Sequence, residues 1–398
     1  MKKTFLSIFA ILFLTNSFAQ PFSISDSAIV SLITCSPGKE VYAKFGHTAI
    51  RVKDAQNGID LVFNYGIFNF DTDGFYYKFM KGETDYQLGV YETNYFLPEY
   101  AARNSMVWEQ PLNMTPDERK SLIRMLEENY KPENRVYRYN FIFDNCSTRP
   151  RDKIVEAMRG RVRFSATAES KTFRQWVAQY VGNDTWLKFG IDLIFGLEAD
   201  RMATGSESMF LPEVLMGEIQ DATVVTPKST YRLVSNEKKI LVDKLPENEE
   251  ESYWFFKPAF FSILLLIVGV LITIYDVYRK RIYKPFDSAL LALTGIGGCI
   301  AFYLMVFSVH PLVKMNLNLL WLNPLNLALA VLVWFRSFRE VLFYYQIVNM
   351  LLLVCALFAF SYSAQVFNIA SFPLIVLLLL RATNWFAIMK RRIFRRRD

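Results

Sequence analysis

Phe45-Gly46-His47-Thr48-Ala49-Ile50-Arg51 and Asp144-Asn145-Cys146-Ser147-Thr148-Arg149 are the two stretches on which the reading of this 398-residue chain turns. The first alternates apolar and polar residues from Gly46 to Lys53 and reads as a strand. The second sets an asparagine ahead of a cysteine and reads as the head of a helix running from Asn145 or Cys146 to Arg159, ended by Gly160. A thiol attacks as the thiolate, and a free cysteine, with a pKa of about 8.5, holds little thiolate at neutral pH. A helix N-terminus and a nearby imidazole both favour the anion, and the imidazole can return the proton to a leaving group. His47 is one of two histidines in the chain and the only one before the apolar C-terminal part. The same helix head offers backbone N–H groups to a tetrahedral oxyanion.

An imidazole base needs a partner on its second ring nitrogen. Asn64, in Val62-Phe63-Asn64-Tyr65-Gly66 on the neighbouring strand, is the first choice and Asp60 the second. Asn145 reads as the helix cap with a possible part in the oxyanion site, and Ser147 stands beside it as support. Arg149 lies one turn on and suits either a phosphate or a salt bridge; Cys35 and Tyr65 are further candidate substrate contacts. Cys35 also competes with the catalytic reading, because a Cys35–Cys146 disulfide would disable the nucleophile.

Composition separates two regions. Apolar residues make up 52% of the chain and aromatics 16%, and the excess lies after residue 257. The net charge of +7 is densest in Lys390-Arg391-Arg392-Ile393-Phe394-Arg395-Arg396-Arg397, directly after an apolar span. A cluster so placed is a topology signal and argues against nucleic acid. Lys2, Lys3, the apolar run Phe5–Leu14 and Ser17-Phe18-Ala19 read as a signal peptide over residues 1–19. A catalytic domain is expected over 20–237, with a hairpin at Gln56-Asn57-Gly58 and a capped helix at Thr115-Pro116-Asp117-Glu118. A charged linker over 238–258, membrane helices over 259–390 and a cytoplasmic tail over 391–398 follow.

The spans are expected near Phe260–Tyr275, Ala289–Val309, Leu319–Trp334, Val341–Tyr362 and Ile369–Met389. Placing Arg279-Lys280-Arg281, Arg336–Arg339 and the tail in the cytoplasm requires five spans and an outside N-terminal domain, which the signal peptide requires independently. His310, Lys314, Asn316 and Asn318 then fall on the outer side, and Asn323 enters the third span. Polar groups placed there read either as an interfacial loop or as a phospholipid headgroup cradle. Trp254, Phe255, Phe256 and Trp321 read as interface anchors.

Cys35-Ser36-Pro37-Gly38, Phe45–Arg51, Phe63-Asn64-Tyr65-Gly66 and Asp144–Arg149 together resemble the Lnb-type periplasmic domain of Bacteroidota. More widely, they resemble the circularly permuted papain-like thiol enzymes of the NlpC/P60 and lecithin:retinol acyltransferase group. The resemblance covers most of residues 26–220. It implies an α+β domain followed by a five-helix all-α membrane domain, with Cys146 as nucleophile and His47 as base. It further implies a lipoprotein N-acyltransferase of the bacterial inner membrane, with a phospholipid as acyl donor, a diacylglyceryl lipoprotein as acceptor, and no cofactor or metal. Two rivals stand beside this expectation: an NlpC/P60-like cell-wall peptidase, which would need one anchor and not five spans, and a non-catalytic sensor holding the disulfide.

Overall fold

The computed structural model describes residues 23–165, 170–241 and 253–394, with the backbone alone for 391–394. The expected signal peptide, most of the expected linker and the end of the basic tail therefore lie outside the described residues. The N-terminal domain is organised by a seven-stranded sheet. Its strands are β1 (Ile29–Cys35), β2 (His47–Asp54), β3 (Ile59–Ile67), β4 (Asp85–Glu92), β5 (Val107–Pro111) and β6 (Val136–Arg138), joined by β10 (Lys238–Leu241). Their order is β10-β5-β1-β2-β3-β4-β6, and every neighbouring pair is antiparallel. The expected hairpin joins β2 to β3, and Gly58 supplies a positive φ of 65° in its turn. A small sheet of β7 (Arg161–Arg163), β8 (Thr223–Val225) and β9 (Thr230–Arg232) closes one side.

Alternation along the strands builds two cores. Val30, Leu32, Ile50, Val52, Phe63 and Tyr65 turn to one face. There they meet α3 (Pro116–Tyr130), α4 (Thr148–Ala157) and α8 (Pro212–Asp221) through Leu122, Leu126, Ile154, Leu215 and Ile219. Ile33, Cys35, Ala49 and Val62 turn to the other face, against Phe96 and Tyr100 of α2 (Thr93–Ala102). Helix α3 starts on the expected capping box: Thr115 Oγ1 accepts from Glu118 N–H, and the Glu118 carboxylate accepts from Thr115 N–H. Neither α2 nor α1 (Phe75–Lys81) shows a helical period of its own in the sequence.

Three expectations are corrected here. Helix α4 begins at Thr148 and ends at Ala157, where Met158 turns extended, so Cys146 lies just before the helix and Gly160 does not end it. Lys238–Leu241 is not linker, because it pairs with β5 at the sheet edge and sets Ile240 and Leu241 on the α2-side core. The third span is not one helix either.

Among the described residues, five segments are long and apolar enough to cross a membrane: Pro258–Arg279, Lys284–Phe307, Pro311–Leu332, Arg336–Tyr362 and Ser371–Lys390. Pro311–Leu332 consists of two 3₁₀ turns, Pro311–Val313 and Leu317–Leu320, followed by the eight-residue α11 (Leu325–Leu332). Eight residues of α-helix rise about 12 Å, against about 30 Å of hydrocarbon. Irregular backbone at this depth must find partners in protein, and α6 (Trp186–Ile194) and the turn after it provide them. Gly196 N–H donates to Leu312 O at 2.8 Å and Leu197 N–H to Met315 O at 3.2 Å. A Cβ on Gly196 would lie 1.9 Å from the Lys314 carbonyl oxygen, so only glycine permits this approach. Among the described residues, Val309 and His310 before the broken span and Val366 and Asn368 after the fourth bond the N-terminal domain, on the side the charge rule places outside.

Within the bundle, Arg381 of α13 (Ser371–Phe394) binds two buried carboxylates. Asp276 of α9 (Pro258–Arg279) stands at 2.6 Å and Asp287 of α10 (Lys284–Phe307) at 2.7 Å. Asn384 and Trp385 donate to the same carboxylates. Replacing Arg381 by Leu leaves two buried carboxylates without their cation, and a loss of about 3–5 kcal/mol is expected. A fall in melting temperature of the detergent-purified protein checks this; an unchanged melting temperature would contradict it.

Candidate active site

Strand register assembles the first half of the site. Ile50 pairs with Phe63 and Arg51 with Val62, so positions 47, 49 and 51 of β2 share a face with 62 and 64 of β3. His47, the first residue of β2, thus looks diagonally across at Asn64. Asn64 Oδ1 accepts from His47 Nε2–H at 2.5 Å, which leaves the other ring nitrogen for the cysteine. The ring of Tyr100 stacks on His47 with centroids 6.2 Å apart. Asp60, the second choice for this role, is held elsewhere: Arg51 binds it at 2.6 Å and Thr93 at 2.6 Å.

The helix head supplies the other half. Asn145 is 98% buried and fully used: its Oδ1 accepts from Ser147 N–H at 2.8 Å and Thr148 N–H at 2.9 Å. Its Nδ2 donates to Phe141 O and Phe210 O. Thr148 Oγ1 returns the bond from Asn145 N–H at 2.8 Å, closing a reciprocal cap. The Asn145 amide is therefore a cap and has no hydrogen left for an oxyanion. Ser147 Oγ lies 3.1 Å from Thr48 Oγ1, pinning the cap to β2. Gly66, with φ of +93°, forms the third wall; a Cβ there would stand 3.3 Å from the Cys146 Cβ and 3.9 Å from His47 Cε1.

Burial opposes charge on both partners, and their pairing overrides it. For half-buried Cys146, desolvation raises the thiol pKa, but the His47 charge, its hydrogen bond and the backbone N–H of Thr48 bring it below the ordinary value. For His47, desolvation lowers the pKa, while the Cys146 charge and hydrogen bonds from Cys146 and Asn64 bring it above. Each group favours the charged form of the other, which is the condition for a thiolate–imidazolium pair. Cys35, directly opposite His47 in the β1–β2 register, is buried, and burial pushes its thiol pKa well up. Cys35 and Cys146 are both free, so the structure does not contain the disulfide of the sensor reading. Tyr86 and Tyr139, stacked with centroids 4.0 Å apart, also feel the Cys146 charge. Burial and then the Cys146 charge push the Tyr86 hydroxyl to about 12, and the same two causes raise Tyr139 well above its ordinary value. Nothing in their sequence context beyond the alternation at Tyr137-Arg138-Tyr139 signals this placement.

The remaining predicted contacts each have partners within the chain. Tyr65 points to the helix-packed face, where its hydroxyl donates to Asn129. Arg149 is paired with Asp144 at 2.5 Å and lies 3.5 Å above the Tyr137 ring, so the salt bridge prevails over the phosphate reading. His310 Nε2–H donates to Phe79 O at 2.8 Å, and Lys314 donates to Met305 O and Ser308 O at the end of α10. Asn316 and Asn318 donate to Leu193 O and Asp192 O, and Asn323 caps the N–H of Leu325. Of the residues expected to form a headgroup cradle, His310, Asn316 and Asn318 thus clasp the N-terminal domain, while Lys314 and Asn323 bond within the membrane part. The hub of this clasp is Asp192, whose buried carboxylate meets Arg174 at 2.8 Å, Lys188 at 2.5 Å and Asn368 at 2.8 Å. Trp321 is 1% exposed and donates to Asn318, so it is a core residue; Trp254 and Phe256 remain exposed, as interface anchors would be.

The paired pKa shifts fix the sign of a pH experiment. Thiolate accumulates above the thiol pKa, so the midpoint for alkylation of Cys146 is expected below about 8.5. His47→Ala removes the lowering charge and moves that midpoint upward, while Cys35 stays unreactive throughout. Iodoacetamide labelling against pH, read by peptide mass spectrometry, checks this, and a midpoint indifferent to His47→Ala would contradict it.

Two family models match the chain. The Lnb N-terminal periplasmic domain matches residues 16–179 and the Lnb transmembrane domain matches residues 249–393. No curated protein and no solved structure matches. The first match contains His47, Asn64 and Cys146; the second contains all five spans. The chain belongs to the Lnb family, and is a multi-pass, membrane-bound lipoprotein-processing protein with a periplasmic domain and a five-helix transmembrane domain.

Proposed function

We propose that this protein is a cysteine acyltransferase that moves an acyl chain from a phospholipid to the α-amine of a diacylglyceryl-cysteine lipoprotein at the inner membrane. The observation that carries the reading is the Cys146–His47–Asn64 arrangement, with the cysteine at a capped helix head and the histidine held from behind. The Cys146 thiolate attacks the donor's ester carbonyl, forming the S–C bond. The ester C–O bond then breaks, and His47 gives its proton to the departing lysophospholipid oxygen. In the second half, the neutral α-amine attacks the thioester, the C–S bond breaks, and the amine's proton passes to His47, restoring the ion pair. The Asn145 cap engages the N–H groups of Ser147 and Thr148, so the Cys146 N–H is the helix-head donor left for the oxyanion.

The membrane part supports this reading over a cell-wall peptidase. Both lipid substrates are confined to the bilayer, where tethering raises effective concentration. A peptidase gains nothing from five spans clasped to its catalytic domain. Free Cys35 and Cys146 count against the disulfide-bonded sensor.

Incubation with phospholipid carrying a radiolabelled acyl chain is expected to give a hydroxylamine-labile adduct on the wild type and none on Cys146→Ala. His47→Ala should slow adduct formation by about 10²–10⁴-fold, the range for loss of a general acid–base group. Asn64→Ala should slow it less, because the ring remains but is no longer oriented. An undiminished adduct on Cys146→Ala would overturn the assignment.

A further inference from the structure

The segment after β3 forms a lobe that the reaction chemistry does not use. Phe70, Tyr76, Tyr77, Phe79 and Met80 are large, apolar and exposed, with Tyr76 at 73%. Such a patch on one short segment calls for a partner. Its position says which one. Helix α1 is fastened to the outer end of α10: Val309 N–H donates to Lys81 O at 2.9 Å, His310 donates to Phe79 O, and Tyr77 packs on Tyr303 with centroids 6.3 Å apart. On that stretch of α10, Phe302, Val306 and Phe307 are exposed and form part of the surface that faces lipid. The lobe therefore continues the lipid-facing band of a membrane helix, and Lys78 on the same turn adds a cation suited to the headgroup level.

The lobe also reaches inward. Phe79 stacks on Phe75 at 6.2 Å, Phe75 on Phe68 at 5.7 Å, Phe68 packs on Tyr86 at 4.9 Å, and Tyr86 stacks on Tyr139 at 4.0 Å. Phe68 follows directly on Gly66 and Ile67, and Gly66 is the wall of the cysteine cleft. A row of rings thus runs from the outer end of a membrane helix to Phe68, two residues from the Gly66 that lies against Cys146. We propose that the Phe70–Met80 lobe is seated in the outer leaflet and that this row of rings guides the donor's acyl chain from the leaflet to Cys146.

The role of donor guide rests on the acyltransferase reading, whereas the seat in the leaflet does not, and two measurements on the full-length protein in phospholipid nanodiscs separate them. First, p-benzoylphenylalanine replaces Tyr76 or, as a control, Asn57. Asn57 lies in the β2–β3 turn, at the opposite end of those strands from His47 and the lobe. Photocrosslinking to radiolabelled phospholipid is expected at 76 and absent at 57; no crosslink at 76 overturns the proposal. Second, the exposed residues are changed together as Phe70→Ser, Tyr76→Ser and Met80→Ser. Acylation of Cys146 by bilayer phospholipid should fall by about tenfold or more. Its acylation by water-soluble p-nitrophenyl acetate should stay within about twofold of wild type, because the thiol and its base are untouched. An equal fall with both donors, or a fall with neither, overturns the guiding role. If wild type crosslinks at 76 but takes no acyl group from phospholipid, the acyltransferase reading and the guiding role fall together and the seat in the leaflet stands.

Discussion

Asp192 sits where the two halves of the molecule meet, and its surroundings follow from one constraint: irregular backbone inside a membrane protein needs polar partners. The third span breaks into short turns, and the end of α6 supplies the carbonyls and carboxylate that its asparagines and neighbours require. Arg174 and Lys188 balance Asp192 and Asp200 from within the N-terminal domain, so the buried charges are paired two against two. A buried ion pair of this kind is costly to break by halves. The N-terminal domain is therefore docked on the bundle through these bonds. Everything proposed about lipid chemistry depends on that docking, since a freely swinging domain would not hold one edge against the leaflet.

Within the domain, a second constraint shapes the site. A half-buried thiolate needs its charge held, and His47, the Thr48 N–H and Ser147 all favour it. The cap on Asn145 matters for a different reason. By consuming the first helical N–H groups it fixes the turn on which Cys146 rides, and by bonding Ser147 to Thr48 that turn is locked to the strand bearing the base. Gly66 lets the third wall lie close, because a side chain there would crowd Cys146.

Much of this was legible in the residues. The His47 and Cys146 motifs, the Asn-Gly hairpin and the capping box at Thr115 are local signals with local causes, and the structure places each accordingly. Asn64 as the orienting partner needed the register of β2 against β3, which only the packed sheet specifies. The polar residues of the third span were readable as unusual, but not as a clasp, because their partners lie more than 120 positions away on α6. Lys238–Leu241 looked like linker since its charges hide a two-residue apolar contact made at a sheet edge. Helix α1 lacks a buried face apart from Phe75, so no periodicity could announce it.

The account's central claim is transfer through a thioester, as distinct from simple lipid hydrolysis. Acyl-protein formed in a first incubation, freed of donor, is mixed with a synthetic diacylglyceryl-cysteine peptide whose α-amine is either free or acetylated. Loss of the acyl group from Cys146 should coincide with amide formation on the free-amine peptide, while the acetylated peptide leaves the adduct in place. Release of free fatty acid at one rate with either peptide would contradict the account.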